Sequence, residues 1–316
     1  MPPRTVRDTL LLATWNLRDF DSNKFGHGPR LPESFYYIAE IISAFDLVAL
    51  QEVNRDLTAL HTLMDILGPS WDYIATDITE GSSGNNERMA FVFDKGKVWF
   101  QNIAGEIVLP RDMLIGENQQ FARTPFVVKF QSGWFKFDLC TVHLYYGEES
   151  GEGYQRRVEE IGRIASFLAK RAKDEQSNII LLGDMNIVSP EDDTMKALKQ
   201  HDFLVPAELT LPTNMLRNKY YDQIAFLNKR DQLELGKSAN HAGVFEVYNA
   251  VFCDGDHSAY YPFAKNYGQW PEEPAEQEKY FHKQWRTWQM SDHLPLWVEL
   301  KIDFTEKYLE RIKAQA

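Results

Sequence analysis

Short apolar runs along this chain alternate with longer stretches in which apolar residues recur every three or four positions. The short runs are typical of strands buried on both faces of a sheet. They occupy residues 10–15, 46–50, 89–93, 126–130, 134–142, 179–182, 221–226 and 296–302. The longer stretches, at 33–45, 57–67 and 155–173, have the spacing of helices. Gln131, Ser132 and Gly133 alone separate two of the strands, which predicts a hairpin.

This mixture of buried strands, hairpins and helices favours a layered α/β sandwich over a strictly alternating parallel sheet. We expect two packed mixed β-sheets flanked by helices. No internal repeat is evident, so a single domain over residues 1–316 is predicted. The pattern weakens over residues 228–290, which we interpret as an elaboration of the core, and residues 304–316 are expected to form a short C-terminal helix.

The composition is that of a globular protein with an acidic balance. Apolar residues make up 44% of the chain, charged residues 25%, and the net charge is -12. A charge of this sign gives no overall attraction to nucleic acid, which argues against a passive DNA-binding module. It argues less against an enzyme, because bound cations can invert the local field. The two cysteines, Cys140 and Cys253, cannot make a disulfide framework.

The sequence contains neither a signal-peptide pattern nor an apolar run long enough to span a membrane. We therefore expect a cytoplasmic protein without a membrane span, although a secreted protein whose signal peptide has been removed fits the same sequence. Nothing in the sequence indicates an obligate protein partner, and a monomer is expected.

Polar residues suited to metal or phosphate chemistry stand at the ends of five predicted strands. They are Asn16, Glu52, His143, Asp184 with Asn186, and Asp292 with His293. Each alone has an ordinary explanation as a turn, a helix cap or a core histidine, but random placement rarely gives five. Because oxygen donors dominate, Mg²⁺ or Mn²⁺ is the expected cofactor, with no organic cofactor. The pattern indicates metal-assisted attack of water on a phosphoryl centre.

Together these segments resemble the motifs of the endonuclease/exonuclease/phosphatase superfamily. The matching segments, in the family's order and approximate spacing, are residues 11–16, 50–53, 141–143, 183–186 and 291–293. The resemblance covers residues 9 to 302 and is strongest to the DNase I-like branch. Three further segments are similar to that branch, namely 85–88, 121–130 and 221–224.

The resemblance implies a metal and phosphate site built from five of these residues. Glu52 would hold the metal ion, together with Asn16 and Asp292. Asp184 and Asn186 would position the attacked phosphate, the water or a second metal ion.

The resemblance also implies two acid–base pairs, His143 with Glu87 and His293 with Asp222. One histidine would activate water and the other would act at the leaving oxygen, while each carboxylate fixes its partner's tautomer. Arg123 would bind phosphate through its planar guanidinium.

The predicted function is a DNase I-like nuclease that hydrolyses DNA phosphodiester bonds with little sequence specificity. The alternative is a phosphatase or phosphodiesterase of the same fold that acts on a small-molecule or lipid phosphoester. Ile187-Val188 after the Gly-Asp-Met-Asn motif departs from the inositol-phosphatase branch, and Arg18 departs from the exonuclease III-like branch.

Three features differ from, or add to, the DNase I-like pattern. Glu117 to Gln120 carries amides where a calcium ligand might be expected, and the cysteines cannot form that branch's disulfides. The aromatic residues of the elaborated segment could stack on bases, although packing is their more common role. They are Tyr260, Tyr261, Tyr267, Trp270, Trp285 and Trp288.

Overall fold

The computed structural model describes residues 1–78, 86–116, 119–228, 232–267 and 270–315, with only the backbone of Tyr267 and Gln315. The strands are β1 (Thr9–Phe20), β2 (Leu47–Val53), β3 (Trp71–Ala75), β4 (Arg88–Asp94), β5 (Trp99–Glu106), β6 (Phe126–Ser132), β7 (Phe135–His143), β8 (Asn178–Asp184), β9 (Asp222–Leu227), β10 (Ala242–Val244) and β11 (Leu296–Lys301). The helices are α1 (Pro32–Ser43), α2 (Thr58–Leu67), α3 (Gly151–Glu175), α4 (Asp193–Lys199), α5 (His257–Ala264), α6 (Pro274–Tyr280), α7 (Arg286–Gln289) and α8 (Thr305–Gln315).

The strands form two mixed sheets, which confirms the predicted layered α/β sandwich. The six-stranded sheet has the order β10-β11-β1-β2-β4-β3, and the five-stranded sheet has the order β5-β6-β7-β8-β9. Each sheet has one parallel pair, β1 with β2 and β7 with β8, and its other pairs are antiparallel. The carboxyl ends of both parallel pairs are where α/β proteins commonly bind ligands.

Apolar side chains fill three layers around the two sheets. The central layer joins the inner faces of both sheets, as in the contact of Phe91 with Phe130 at 5.6 Å between ring centroids. The outer face of the six-stranded sheet packs against α1 and α2, and that of the five-stranded sheet against α3. One buried polar contact also crosses the centre, because Gln51 donates to the hydroxyl of Thr141 at 2.9 Å.

The eight predicted strands are all present, and the three strands that were not predicted are β3, β5 and β10. Each of these three lies at the edge of a sheet and is partly exposed, so its apolar pattern is weak. The three predicted helices correspond to α1, α2 and α3, and α8 confirms the C-terminal helix.

The elaborated segment contributes β10 and the helices α5, α6 and α7. Several of its aromatic residues pack inward, whereas Tyr261 is 39% exposed. Trp285 and Trp288 are buried, and Tyr260 and Trp270 pack on the core outside the six-stranded sheet. Base stacking is therefore the wrong interpretation for the two buried tryptophans. The side chain of Tyr267 lies outside the described residues, as do Glu117, Asn118 and Asn85.

Among the described residues, no helix has the length and apolar character that crossing a membrane requires.

Candidate active site

The predicted site residues converge at one edge of the sandwich, where β1, β2, β7 and β8 end. Asp222 and His293 reach the same edge because β9 and β11 run antiparallel to their neighbours and begin there. His143, Asp184 and Asp222 are direct partners across three adjacent strands, so they form one row. The pairing of β7, β8 and β9 therefore sets the spacing of these three residues.

Asn16 connects the carboxylates of the two sheets. Its Nδ2 donates to Glu52 Oε1 at 2.9 Å and to Asp184 Oδ2 at 3.0 Å. Its Oδ1 accepts the backbone N–H of Arg18 at 2.9 Å. In this arrangement Asn16 offers protons to the two carboxylates, and its oxygen, the atom that would bind a metal, faces the backbone.

Glu52 projects into the site from a backbone in the left-handed region, with a φ of 57°. Its Oε2 accepts the backbone N–H of Asp19 at 2.8 Å, and its Oε1 lies 4.0 Å from His143 Nε2. The Glu52 carboxylate is therefore held by Asn16 and by the backbone near the end of β1, with Oε1 on the side of His143.

His143 lies between two carboxylates. Its Nδ1 is 3.2 Å from Glu87 Oε2, although the N–H is not aligned along that line, and its Nε2 is 3.6 Å from Asp184 Oδ2. Arg123 donates to the same Glu87 oxygen at 2.7 Å. Burial raises the pKa of Glu87, but His143, Arg123 and Lys24 outweigh it and lower that pKa to about 2. Glu87 is thus a carboxylate at neutral pH that lies beside His143 and Arg123.

His293 forms the second pair, on the opposite side of Asp184. Its Nδ1 bonds to Asp222 Oδ2 at 2.8 Å, and its Nε2 lies 3.8 Å from Asp184 Oδ2. Burial lowers the pKa of His293, but Asp222 and Asp184 outweigh it and raise the pKa well above its usual value. Tyr221 stacks on the imidazole, with 5.5 Å between ring centroids.

Asn186 is held beside this row by two hydrogen bonds, each of which joins a backbone group to a side chain. Its N–H donates to Asp184 Oδ1 at 3.0 Å, and its Nδ2 donates to the carbonyl of Leu144 at 2.9 Å. The backbone of β8 approaches β7 so closely at Gly183 that a Cβ there would collide with the Val142 carbonyl oxygen. Gly183 also has a φ of 127°, which residues with a side chain rarely adopt. This glycine is therefore required for Asp184 and Asn186 to stand where they do.

Asp292 and Arg123 are placed less centrally than the resemblance implied. The Asp292 side chain is 48% exposed and lies 3.7 Å from Arg18 Nε. Among the described contacts, none joins Asp292 to Glu52 or Asn16. Arg123 is buried, and its guanidinium is paired with Glu87.

Two buried residues that the sequence did not indicate bind the backbone around the site. Arg30 donates to the carbonyl oxygens of Leu17 at 2.6 Å and Arg18 at 2.8 Å, and its guanidinium lies 4.8 Å from the centre of the Trp288 ring. Glu160 in α3 accepts the backbone N–H groups of Ala122 at 3.0 Å and Tyr145 at 2.9 Å.

The sequence held a signal for only one of these residues. Glu160 occupies a position on the apolar face of α3 beside Ile161 and Ile164, where a carboxylate needs partners. Arg30 lies in a polar loop and no pattern distinguishes it.

The donor set fits a hard divalent cation, because carboxylate oxygens dominate it. Glu52 and Asp184 present oxygens on either side of the Asn16 amide. Ligand atoms of Asp184, Asp222 and His293 also lie within 4.8 Å of one another. We favour Glu52 and Asp184 as the metal ligands, since His293 and Asp222 are already hydrogen-bonded to each other.

The sequence profile described as the endonuclease/exonuclease/phosphatase family matches residues 13–274. The chain belongs to this family. Members of the family are phosphoester hydrolases that depend on divalent metal ions, and this chain is such a hydrolase. The search of curated proteins gave no match.

Several solved structures share the fold. The human Nocturnin catalytic domain with bound sulfate has a TM-score of 0.57 at 14% identity, over 92% of this chain and 94% of that one. A mannosyl-6-phosphatase of Bacteroides thetaiotaomicron has a TM-score of 0.56 at 16% identity, over 92% and 99%. A truncated TDP2 of Caenorhabditis elegans has a TM-score of 0.54 at 14% identity, over 93% and 97%. At these identities the likeness concerns the fold alone.

Proposed function

We propose that this chain is a divalent-metal-dependent nuclease that hydrolyses DNA phosphodiester bonds with little sequence specificity. One observation carries the proposal: the Glu87–His143 and Asp222–His293 pairs face the same Asp184 oxygen, at 3.6 and 3.8 Å. A site with an imidazole on each side of one point can take a proton from water and give one to a leaving alkoxide.

The carboxylates around His293 suggest how the two histidines divide the acid–base work. His293 is the acid, because Asp222 and Asp184 raise its pKa and keep it protonated at neutral pH. His143, oriented by Glu87, is then the base that takes the proton of the attacking water. Asp184 and Asn186 position the phosphate and the water between them.

Glu52 is the proposed principal ligand of the Mg²⁺ or Mn²⁺ ion, with Asn16 and Asp292 beside it. The bound ion supplies positive charge that neutralises the phosphate oxygens. To serve as a direct ligand, the Asn16 side chain would have to turn its oxygen inward, and Asp292 would have to leave Arg18.

The charge balance of the site favours a phosphodiester over a phosphomonoester. Arg123 pairs with Glu87, Arg18 with Asp292, and Lys24 with Asp19 at 3.5 Å and Glu87 at 3.8 Å. A phosphodiester carries one negative charge, whereas a phosphomonoester approaches two near neutral pH. A site whose cations already have carboxylate partners is therefore better matched to the diester.

The second candidate is hydrolysis of a small-molecule or lipid phosphoester. The net charge of -12 favours it, because a long polyanion would be repelled by the protein as a whole.

The test incubates the purified protein with Mg²⁺ or Mn²⁺ on supercoiled plasmid, single-stranded DNA, RNA and a panel of phosphomonoesters. We expect nicked and then linear plasmid, and loss of this activity in His143→Ala and Asp184→Ala. His61→Ala, on the exposed face of α2, is the matched control and should retain activity. Rapid release of phosphate from a small ester with every polymer left intact would refute the nuclease proposal.

A further inference from the structure

The loop formed by residues 144–150, here called the Tyr146 loop, joins β7 to α3 directly beside the acid–base row. Tyr146 is 42% exposed, whereas Leu144 at the start of the loop is buried. The exposure of this ring beside the proposed acid–base residues suggests a role in binding, because aromatic side chains contribute strongly to binding energy when a ligand buries them.

A buried cation holds the loop in place. Arg157 of α3 donates to the carbonyl oxygens of Tyr146 and of Glu148, the latter at 3.2 Å, and its guanidinium lies 5.4 Å from the centre of the Tyr146 ring. Among the described contacts, Arg157 has no carboxylate partner. Its guanidinium therefore interacts mainly with the carbonyl groups and the Tyr146 ring of this loop.

Two further contacts restrict the loop. Gly147 has a φ of 58°, and a Cβ there would lie 2.6 Å from the Tyr145 ring. Glu149 pairs with Lys219 at 2.5 Å, which ties the loop to the segment leading into β9. Tyr146 is therefore presented by an ordered loop, so covering its ring requires little further loss of conformational freedom.

The exposed ring is connected to the proposed acid by direct ring contacts. Tyr221 stacks on His293 with 5.5 Å between centroids and an interplanar angle of 29°. Tyr146 meets Tyr221 edge-on, with 6.2 Å between ring centroids and an interplanar angle of 89°. The two tyrosines form a continuous aromatic wall beside the position of the leaving oxygen.

We propose that Tyr146 is a stacking platform for the base of a nucleotide that flanks the attacked phosphate. This inference rests on the proposed nuclease function and adds a base-binding position to it. Stacking on an aromatic ring tolerates any base, because every base has a π face. Such a contact would give affinity for nucleic acid in an acidic protein without giving sequence preference.

The experiment uses the full chain with Mg²⁺ or Mn²⁺ and two single-stranded oligonucleotides of one sequence. The second oligonucleotide carries tetrahydrofuran abasic residues on both sides of one defined bond. We expect kcat/KM at that bond to be on the order of 10-fold lower on the abasic substrate for the wild-type enzyme, as loss of one stacked base implies.

The variants separate stacking from other roles of the loop. Tyr146→Ala and Tyr146→Leu should lose the discrimination between the two oligonucleotides, with slower cleavage of the normal one alone. Tyr146→Phe keeps the ring and should discriminate as the wild type does. Tyr36→Ala, at an exposed tyrosine of α1, is the matched control.

Each outcome decides a separate point. If Tyr146→Ala and Tyr146→Leu slow cleavage of both oligonucleotides equally, Tyr146 has a structural role and the stacking proposal is wrong. The proposal is also wrong if these variants distinguish the normal from the abasic oligonucleotide as well as the wild type does. If the wild-type protein cleaves neither oligonucleotide while hydrolysing a small phosphoester, the nuclease proposal and this inference fall together.

Discussion

Asn16 Nδ2 donates a hydrogen bond to Asp184 Oδ2 at 3.0 Å, so an amide of the six-stranded sheet is bound to a carboxylate of the five-stranded sheet. The same nitrogen also donates to Glu52 at 2.9 Å. Without it, the carboxylates of Glu52 and Asp184, whose side chains are 18% and 3% exposed, would face each other with no donor between them, which is unfavourable for groups removed from water.

Replacing Asn16 by alanine should destabilise the metal-free protein. We expect Asn16→Ala to lower the free energy of unfolding by about 1–3 kcal/mol in EDTA, the usual penalty for a buried group left without its partner. The loss should shrink in Mg²⁺, because a cation replaces the amide protons. Urea unfolding with and without Mg²⁺ measures both values, with the exposed Asn249→Ala as control. An equal loss in both conditions would argue against a cation between these carboxylates.

Glu87 should contribute to stability only above acidic pH. Its pKa is lowered from 4.5 to about 2 by His143, Arg123 and Lys24 against the effect of burial. A carboxyl whose folded-state pKa is depressed stabilises the protein above its unfolded pKa, and this stability is lost as pH falls toward the folded value. The difference in unfolding free energy between wild type and Glu87→Gln should therefore decrease below about pH 4.5. Denaturant titrations from pH 6 to pH 3 measure it, and a difference that stays constant would contradict the prediction.

Asp222 should keep His293 protonated through the neutral range. In metal-free protein, Asp222→Asn is expected to lower the pKa of His293, since it removes the charge 2.8 Å from Nδ1. A histidine with a raised folded-state pKa gives its full stabilisation below its unfolded pKa and loses it as pH rises through the folded one. Wild type should thus lose stability on the alkaline side, and Asp222→Asn should lose less. NMR titration of the imidazole decides the point, and an identical midpoint in both proteins would refute it.

Glu160 should matter for catalysis although it does not face the substrate. Glu160→Gln removes one of the two acceptors that hold Ala122 and Tyr145. The neighbouring Arg123 and the segment after His143 then lose a common anchor, so we expect kcat to fall and the pH profile to change. Glu159→Gln is the matched control, because Glu159 pairs with Arg163 on the half-exposed side of α3. Equal effects of the two substitutions would remove the positioning role.

Gly183 should not tolerate a side chain. Gly183→Ala places a Cβ against the Val142 carbonyl, at a residue whose φ is 127°. We therefore expect poor folding, or a free energy of unfolding that is lower by several kcal/mol. In Gly162→Ala, where nothing lies within 4 Å of the new Cβ in α3, stability should rise by about 0.5–1 kcal/mol. Thermal unfolding of both proteins is sufficient, and similar stabilities would show that β7 and β8 can separate without penalty.

The sequence predicted the parts of the site that depend on strand ends. Buried strands such as β1 and β8 have largely apolar runs, so the polar residues that follow these runs, Asn16 and Asp184, are predicted from the sequence as site residues. The His293–Asp222 contact followed from the resemblance, since these residues lie far apart in the chain. The direction of the Asn16 amide could not be predicted, because it depends on Glu52 and on the backbone of Arg18. The burial of Arg30 depends likewise on Trp288 from the far end of the chain.

The central strand β1 pairs with β11, and Trp15 donates to the carbonyl of His293 at 2.9 Å. The first and last thirds of the chain therefore share one catalytic edge. A polypeptide that ends before His293 contains Glu52 and Asp184 but lacks β11 and the histidine that pairs with Asp222. One strand of the six-stranded sheet and one of the two proposed acid–base pairs are therefore completed by the same segment of the chain.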